Sequence, residues 1–133
     1  MTHLSLRPVR PWAVVLAAGS GSRMAAAGLA RPKQFLTCQG MPLYWHSALT
    51  FSRCARVAGI VFVLPEDCLA EEEVRIRQFD GLTVGATPNP PNSSRPLGVP
   101  WKAVAGGHLR RDSVFNALSA LPVDCEYVLV HDA

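Results

Sequence analysis

The chain alternates short unbroken apolar runs with longer stretches whose apolar residues recur every third or fourth position. Val14-Val15-Leu16 is the first run, too brief for a helix and followed at once by Ala17, Ala18 and Gly19. Such a run, ended by a glycine turn, reads as a buried strand of a parallel sheet. Gly59–Leu64 repeats the pattern, Trp101–Ala105 ends at Gly106-Gly107, and Tyr127–Val130 carries His131-Asp132 at its carboxyl end. Between these runs, Pro42 suits the first position of a helix through Leu43–Arg53 that buries Trp45, Ala48 and Leu49. Phe35-Leu36 and Gln39-Gly40, just before it, predict a short extended piece and a turn. Pro65-Glu66-Asp67 leads into a helix over Leu69–Phe79, with Glu71, Glu72 and Glu73 near its positive end. Consecutive positions fan around a helix, so these glutamates predict a solvated face rather than a metal cluster. Asp112 is placed to cap a helix through Leu121, with Val114, Ala117, Leu118 and Leu121 on one face and Pro122 closing it.

Strand–helix alternation of this kind predicts an α/β fold with a doubly wound, mostly parallel sheet. A last buried strand that ends the chain lacks the crossover helix that would cover it, so the pattern also predicts a fold cut at its C-terminus. Ligands of such sheets bind beyond the carboxyl ends of the strands. The segments expected there are Gly19–Arg23, Pro65–Asp67, Gly106–Arg111 and His131–Asp132.

In the first of them, Gly19-Ser20-Gly21-Ser22 lets the backbone approach a ligand and turn successive N–H groups toward one point, which suits phosphate. Arg23 and Lys33 add fixed positive charge beside that cradle. A P-loop is excluded, because no lysine stands at the required spacing. The dinucleotide fingerprint needs a third glycine where Met24 stands, which argues against an oxidoreductase domain.

Charge strengthens the anion reading. The net charge is only +3, yet no Asp or Glu precedes Glu66, while Arg7, Arg10, Arg23, Arg31, Lys33, Arg53 and Arg56 all do. Such a half attracts anions. Neither a helix-turn-helix phrase nor basic-aromatic interleaving is present, so a small phosphorylated ligand is expected and nucleic acid is not.

At 133 residues, 49% hydrophobic and 17% charged, the chain reads as one globular domain. No apolar run approaches the ~20 residues of a membrane span. Arg7, Arg10 and the apolar stretch from Trp12 imitate a secretory signal, but the stretch is minimal and Arg23 follows closely. Cys38, Cys54, Cys68 and Cys125 show no C-x-x-C pair and no zinc spacing. They read as small core residues of a reduced compartment, which makes the cytoplasm the expected location. Gly85–Pro100, with five prolines and Asn92-Ser93-Ser94, predicts a long irregular loop.

Two further phrases carry chemistry. In Gly106-Gly107-His108-Leu109-Arg110-Arg111-Asp112-Ser113-Val114, the paired glycines allow a flat base to lie against the backbone, and Ser113 at a helix start can exchange hydrogen bonds with its edge. An ordinary turn with a capped helix explains the same residues. Asp132, a carboxylate ending a strand beside a triphosphate loop, is a natural Mg²⁺ ligand. His131 reads as a packed neighbour rather than a catalyst.

The first phrase, Leu16-Ala-Ala-Gly-Ser-Gly-Ser-Arg-Met24 with Pro32-Lys33-Gln34, resembles the signature of the sugar-nucleotide type nucleotidyltransferases, whose fold is Rossmann-like. Together with Gly-Gly-x-x-Arg-x-x-Ser-Val and Val-Leu-Val-His-Asp-Ala, it resembles the 2-C-methyl-D-erythritol 4-phosphate cytidylyltransferase family over nearly all of Trp12–Ala133. The resemblance implies that Arg23 and Lys33 hold the CTP phosphates and stabilise charge at the α-phosphorus. It places Ala17, Ala18, Gly19, Gly21, Gly106, Gly107, Ser113 and Ala133 among the nucleotide contacts. Arg110 supports the base loop, and Asp132 binds Mg²⁺. The implied reaction moves CMP from CTP to a sugar-alcohol phosphate.

Family members often carry an acidic residue after the glycine pair, where this chain has His108. They also continue into a C-terminal half with a second metal-binding aspartate, acceptor contacts and a dimer arm, so the complete enzyme is expected to be a homodimer. The chain alone is therefore expected to be inactive. Rival expectations are a pentitol-phosphate cytidylyltransferase and a non-catalytic nucleotide-binding module.

Overall fold

The computed structural model describes residues 9–18, 37–81 and 95–133. Five residues, Trp12–Leu16, form strand β1, buried at every position. Thr37–Cys38 (β2) and Met41–Pro42 (β3) form a minimal antiparallel hairpin. Its turn places Gln39 at φ 55° and Gly40 at φ 80°, which Gly40 tolerates without a Cβ penalty. Pro42 therefore stands just before the helix rather than at its first position. Helix α1 follows over Leu43–Ser52, then β4 over Gly59–Leu64, a 3₁₀ turn over Glu66–Cys68, and α2 over Leu69–Phe79. Trp101–Ala105 is β5, Arg110–Ser119 is α3, and Val128–Asp132 is β6.

β1, β4, β5 and β6 make one wholly parallel sheet in the order β5-β4-β1-β6. The chain thus builds outward from β1 through β4 to β5, then returns to lay β6 on the other side of β1. The order reverses between β1 and β6, which makes that crevice the topological switch point.

Alternation along the strands divides the core in two. Ala13, Val15, Ile60, Phe62 and Leu64 face α1 and α2, where they meet Tyr44, Trp45, Ala48 and Ile76. Trp12, Val14, Leu16, Val61 and Val63 face α3, which contributes Ala117 with Val114 and Leu121 beside it. The aromatic rings interlock edge to face, with Phe62 5.8 Å from Tyr44 and 5.9 Å from Trp101 between centroids.

Several sequence expectations need correction. The α3 face is narrower than its periodicity suggests: the helix ends at Ser119, and Leu118 is exposed beside the exposed Phe115. Only one helix covers that side of the sheet among the described residues, so residues on its flanks meet solvent. Among the described residues β6 is an edge strand rather than a buried interior one, and Leu129 and Val130 are exposed, in line with a last strand that lacks its covering helix. Two of the four cysteines are not core residues, and the other two only pack against the core's margin. Cys38 and Cys54 are exposed because they sit in the hairpin and in the turn after α1, while Cys68 and Cys125 are half-buried.

The three glutamates do not form a uniformly solvated face either. Glu72 is only 5% exposed, because its carboxylate accepts the Tyr44 hydroxyl of α1 and pairs with Arg75 at 2.9 Å. Burial, seconded by that acidic partner, drives the Tyr44 phenol far above its ordinary range. Glu73 pairs with Arg77 at 3.3 Å, and Glu71 is exposed.

A second buried carboxylate fastens the far edge. Asp80, at the end of α2, accepts the Leu97 N–H at 2.9 Å and the Trp101 Nε1–H at 3.1 Å. Burial raises its pKa above 3.8, while those two donors and the charge of Arg95 pull it down. The predicted irregular loop falls mostly on 82–94, outside the described residues.

Candidate functional site

Three backbone hydrogen bonds extend the sheet one residue past its strands. The Ala17 N–H donates to the Val63 carbonyl at 2.8 Å, the Ala133 N–H to Leu16 at 3.0 Å, and the Gly106 N–H to Leu64 at 2.8 Å. The chain therefore leaves β1, β5 and β6 at fixed, adjacent points on the carboxyl edge. Ala17-Ala18, Gly106-Gly107 and Asp132-Ala133 are brought together there, as the sequence predicts. Gly19, Gly21, Arg23 and Lys33 lie outside the described residues.

The glycine pair has a steric reason of its own. A Cβ on Gly106 would stand 2.2 Å from the Ala18 Cβ and 2.9 Å from the Ser113 Oγ. A Cβ on Gly107 would stand 2.4 Å from the Asp112 Cβ. Small residues at 18, 106 and 107 let the loop after β1, the loop after β5 and the start of α3 touch. A side chain at Gly107 would therefore push on α3.

Side chains of α3 then hold the glycine loop in place. Asp112 Oδ2 accepts the Leu109 N–H at 3.1 Å, so Asp112 caps from the third position inside the helix rather than from before it. Ser113 Oγ, buried, accepts the Gly107 N–H at 3.1 Å. Asn116 Nδ2 donates to the Ala105 carbonyl at 3.0 Å. Each bond satisfies a backbone group that an irregular loop leaves without a ladder partner. Asn116 was not legible as part of the site; an amide on the inner flank of a short helix is the signal that could have found it.

Across the switch point, Arg110 opens α3 and Asp132 closes β6. Arg110 Nε lies 3.2 Å from Asp132 Oδ1, and Nη2 lies 3.4 Å from Oδ2, a two-pronged contact. Their side chains are 62% and 67% exposed, so the pair is solvent-screened. His131 meets the Phe51 ring edge-on at 5.6 Å but stays exposed, so it is not the packed neighbour that the sequence suggests.

Among the described residues no three His, Cys, Asp or Glu side chains gather to hold a metal ion. The one exposed carboxylate of Asp132, at the carboxyl edge of the sheet, nevertheless fits Mg²⁺, which commonly takes one or two carboxylates plus substrate phosphates and water. It does not fit a structural metal cage. A cleft of about 430 Å³ lies beside Ala133 and His131, lined also by Leu43, His46, Thr50 and Phe51. A larger cleft, about 620 Å³, lies at the opposite, amino end of the sheet near Val9, Trp12 and Tyr127. Ligands of parallel sheets collect at the carboxyl edge, so size does not make the larger cleft the site. No helix among the described residues is long and apolar enough to cross a membrane.

Comparison with known proteins bears on this geometry. The chain is 49% identical over 122 residues to a bifunctional enzyme IspD/IspF of Oleidesulfovibrio alaskensis, covering 92% of the chain and 28% of that protein. It is 40% identical over 128 residues to a 2-C-methyl-D-erythritol 4-phosphate cytidylyltransferase of Solibacter usitatus, covering 91% and 45%. The chain thus spans less than half the length of these relatives. Its fold matches the 4-diphosphocytidyl-2C-methyl-D-erythritol synthase of Anaerococcus prevotii, with a TM-score of 0.59 at 21% identity, over 95% of this chain and 44% of that one. It also matches the inositol-1-phosphate CTP transferase of T. maritima, with a TM-score of 0.61 at 19% identity, over 95% and 44%. A sequence model of one family aligns with residues 12–133, from the first residue of β1 to the end of the switch-point strand, and the chain belongs to that family, 2-C-methyl-D-erythritol 4-phosphate cytidylyltransferase.

Proposed function

We propose that this chain is the nucleotide-binding part of an enzyme that transfers CMP from CTP to 2-C-methyl-D-erythritol 4-phosphate. The observation that carries the reading is the convergence of Ala17-Ala18, Gly106-Gly107 and Asp132 on one switch point, in a chain of this family. In the proposed reaction an oxygen of the acceptor's phosphate attacks the α-phosphorus of CTP in line. A new phosphorus–oxygen bond forms as the bond to the bridging oxygen breaks, and pyrophosphate leaves with that electron pair. A phosphate is already a nucleophile, so no covalent enzyme intermediate is required.

The protein's task is then positioning and charge stabilisation. Gly19 and Gly21 present backbone N–H groups to the phosphates, and Arg23 and Lys33 hold the charge that grows at the α-phosphorus. Gly106 and Gly107 offer the base a backbone surface, with Ser113 fixing the loop from behind through the Gly107 N–H. Asp132 supplies the carboxylate for Mg²⁺. A Mg²⁺ ion held by Asp132 would supply charge neutralisation for the triphosphate.

Binding and turnover are expected to separate in residues 1–133. Calorimetry with Mg²⁺ present should detect weak CTP binding, because the residues assigned to the nucleotide are there. Pyrophosphate release with 2-C-methyl-D-erythritol 4-phosphate added should be absent, since an in-line reaction between two anions depends on holding both. Multiple turnover would show that the acceptor site is complete within this chain. No CTP binding at millimolar concentration would sink the nucleotide reading itself.

A further inference from the structure

Among the described residues, the Arg110–Asp132 pair is a contact at the candidate site that the folding of its loops does not call for. Asp112, Ser113 and Asn116 already tie the start of α3 to the loop after β5. β6 is already fixed by its ladder with β1 and by the Ala133 N–H bond to Leu16. Arg110 nevertheless spans the switch point from the first residue of α3 and engages both oxygens of the carboxylate that closes β6.

We propose that Arg110 is a placeholder for the divalent cation on Asp132, holding the carboxylate in the metal-free protein and yielding it when the metal–nucleotide arrives. This rests on the reading of Asp132 as the metal ligand. A dication on either Asp132 oxygen would stand beside the guanidinium, and two positive charges on one carboxylate repel. Arg110 must therefore swing away, and its exposure leaves it room to do so. The same exposure keeps the cost of exchange low, because a screened pair is weak. A buried pair would instead lock Asp132 away from the metal. Until exchange occurs, Arg110 keeps the carboxylate aimed into the crevice and spares the anionic nucleotide an unneutralised negative charge. Arg110 is thus a positioning residue for the metal ligand, acting through Asp132.

The test is a Mn²⁺ titration without nucleotide, read from paramagnetic broadening of the Asp132 and Ala133 amide resonances. Arg110→Ala and Arg110→Gln should bind Mn²⁺ at this site about 1.5- to 5-fold more tightly than the unsubstituted chain, the range that exposed ion pairs imply. Arg110→Lys, which keeps the charge and loses the fork, should fall between. The gain should vanish when Asp132→Asn is added. The same amide spectra report whether each variant keeps the fold. Unchanged or weaker Mn²⁺ binding in Arg110→Ala and Arg110→Gln would overturn the proposal, as would a gain that survives Asp132→Asn. CTP binding measured separately without metal tests the nucleotide reading alone, because the competition at Asp132 needs no nucleotide.

Discussion

β4 and β6 are both apolar runs of the same parallel sheet, and their carboxyl ends point to the same edge. β4 is buried at all six positions, packed between α1 and α2 on one side and α3 on the other. β6 leaves Leu129 41% and Val130 39% exposed. The difference is one of neighbours, since β4 lies between two strands and β6, among the described residues, pairs with β1 alone. The interior strand supplies stability and carries no chemistry. The edge strand carries the carboxylate and little of the core.

This division can be broken most decisively in β4. Phe62→Ala should cost about 3–5 kcal/mol, as expected for a fully buried aromatic. Leu129→Ala in β6 should cost well under half as much. Urea unfolding of the two variants checks the pair, and equal losses would show that β6 is covered in solution.

The reverse test removes chemistry and spares the fold. In the complete enzyme, Arg23→Ala and Lys33→Ala should each lower kcat by roughly 10²-fold or more, with a smaller change in CTP affinity. Their unfolding midpoints should stay unchanged. Steady-state kinetics showing only a raised KM would remove both residues from the catalytic role.

Where scaffold and site meet, one substitution should damage both. Gly107→Val drives a side chain against Asp112, and overpacking of this kind costs about 1–3 kcal/mol. Loss of CTP binding should therefore come with a lower thermal midpoint. A variant that loses CTP with full stability would restore the simpler picture of a base stacked on an open glycine.

The smallest effect is expected at the opposite edge, around Asp80. Its carboxyl is raised in the folded chain, so the contribution is fully present below the unfolded pKa and fades as pH climbs through the folded value. As pH rises from the ordinary carboxylate range upward, the protein should lose stability relative to Asp80→Asn, which has no charge to bury. Urea midpoints across that range check the sign, and an opposite drift would mean that the Leu97 and Trp101 hydrogen bonds and Arg95 outweigh burial.

The sheet strands and helices were legible because each is a local pattern. Gly59–Leu64 and Leu69–Phe79 emerged with the limits read from their periodicity. Local pattern does not say how many neighbours an element has. The periodicity therefore puts Leu118 on a packed face and the exposed Cys38 and Cys54 in the core, while the lack of a crossover helix marks β6 as uncovered. The Gly106-Gly107 pair was legible because steric need restricts residue type. Asp80 and Asn116 were not, because their partners, Leu97, Trp101 and Ala105, are distant in sequence and nothing in the local phrase announces them. The Glu72–Tyr44 bond escaped for the same reason.

Asp80 also bears on how freely the chain can be lengthened. It grips Leu97 and Trp101 from the end of α2, so the exit and re-entry points of the 82–94 stretch are both tied to one carboxylate. Between pinned ends, the closure entropy of an inserted segment grows by only about 0.6 kcal/mol for each doubling of length. The span between Asp80 and Leu97 is therefore the natural place to splice in a reporter peptide or a fluorescent tag.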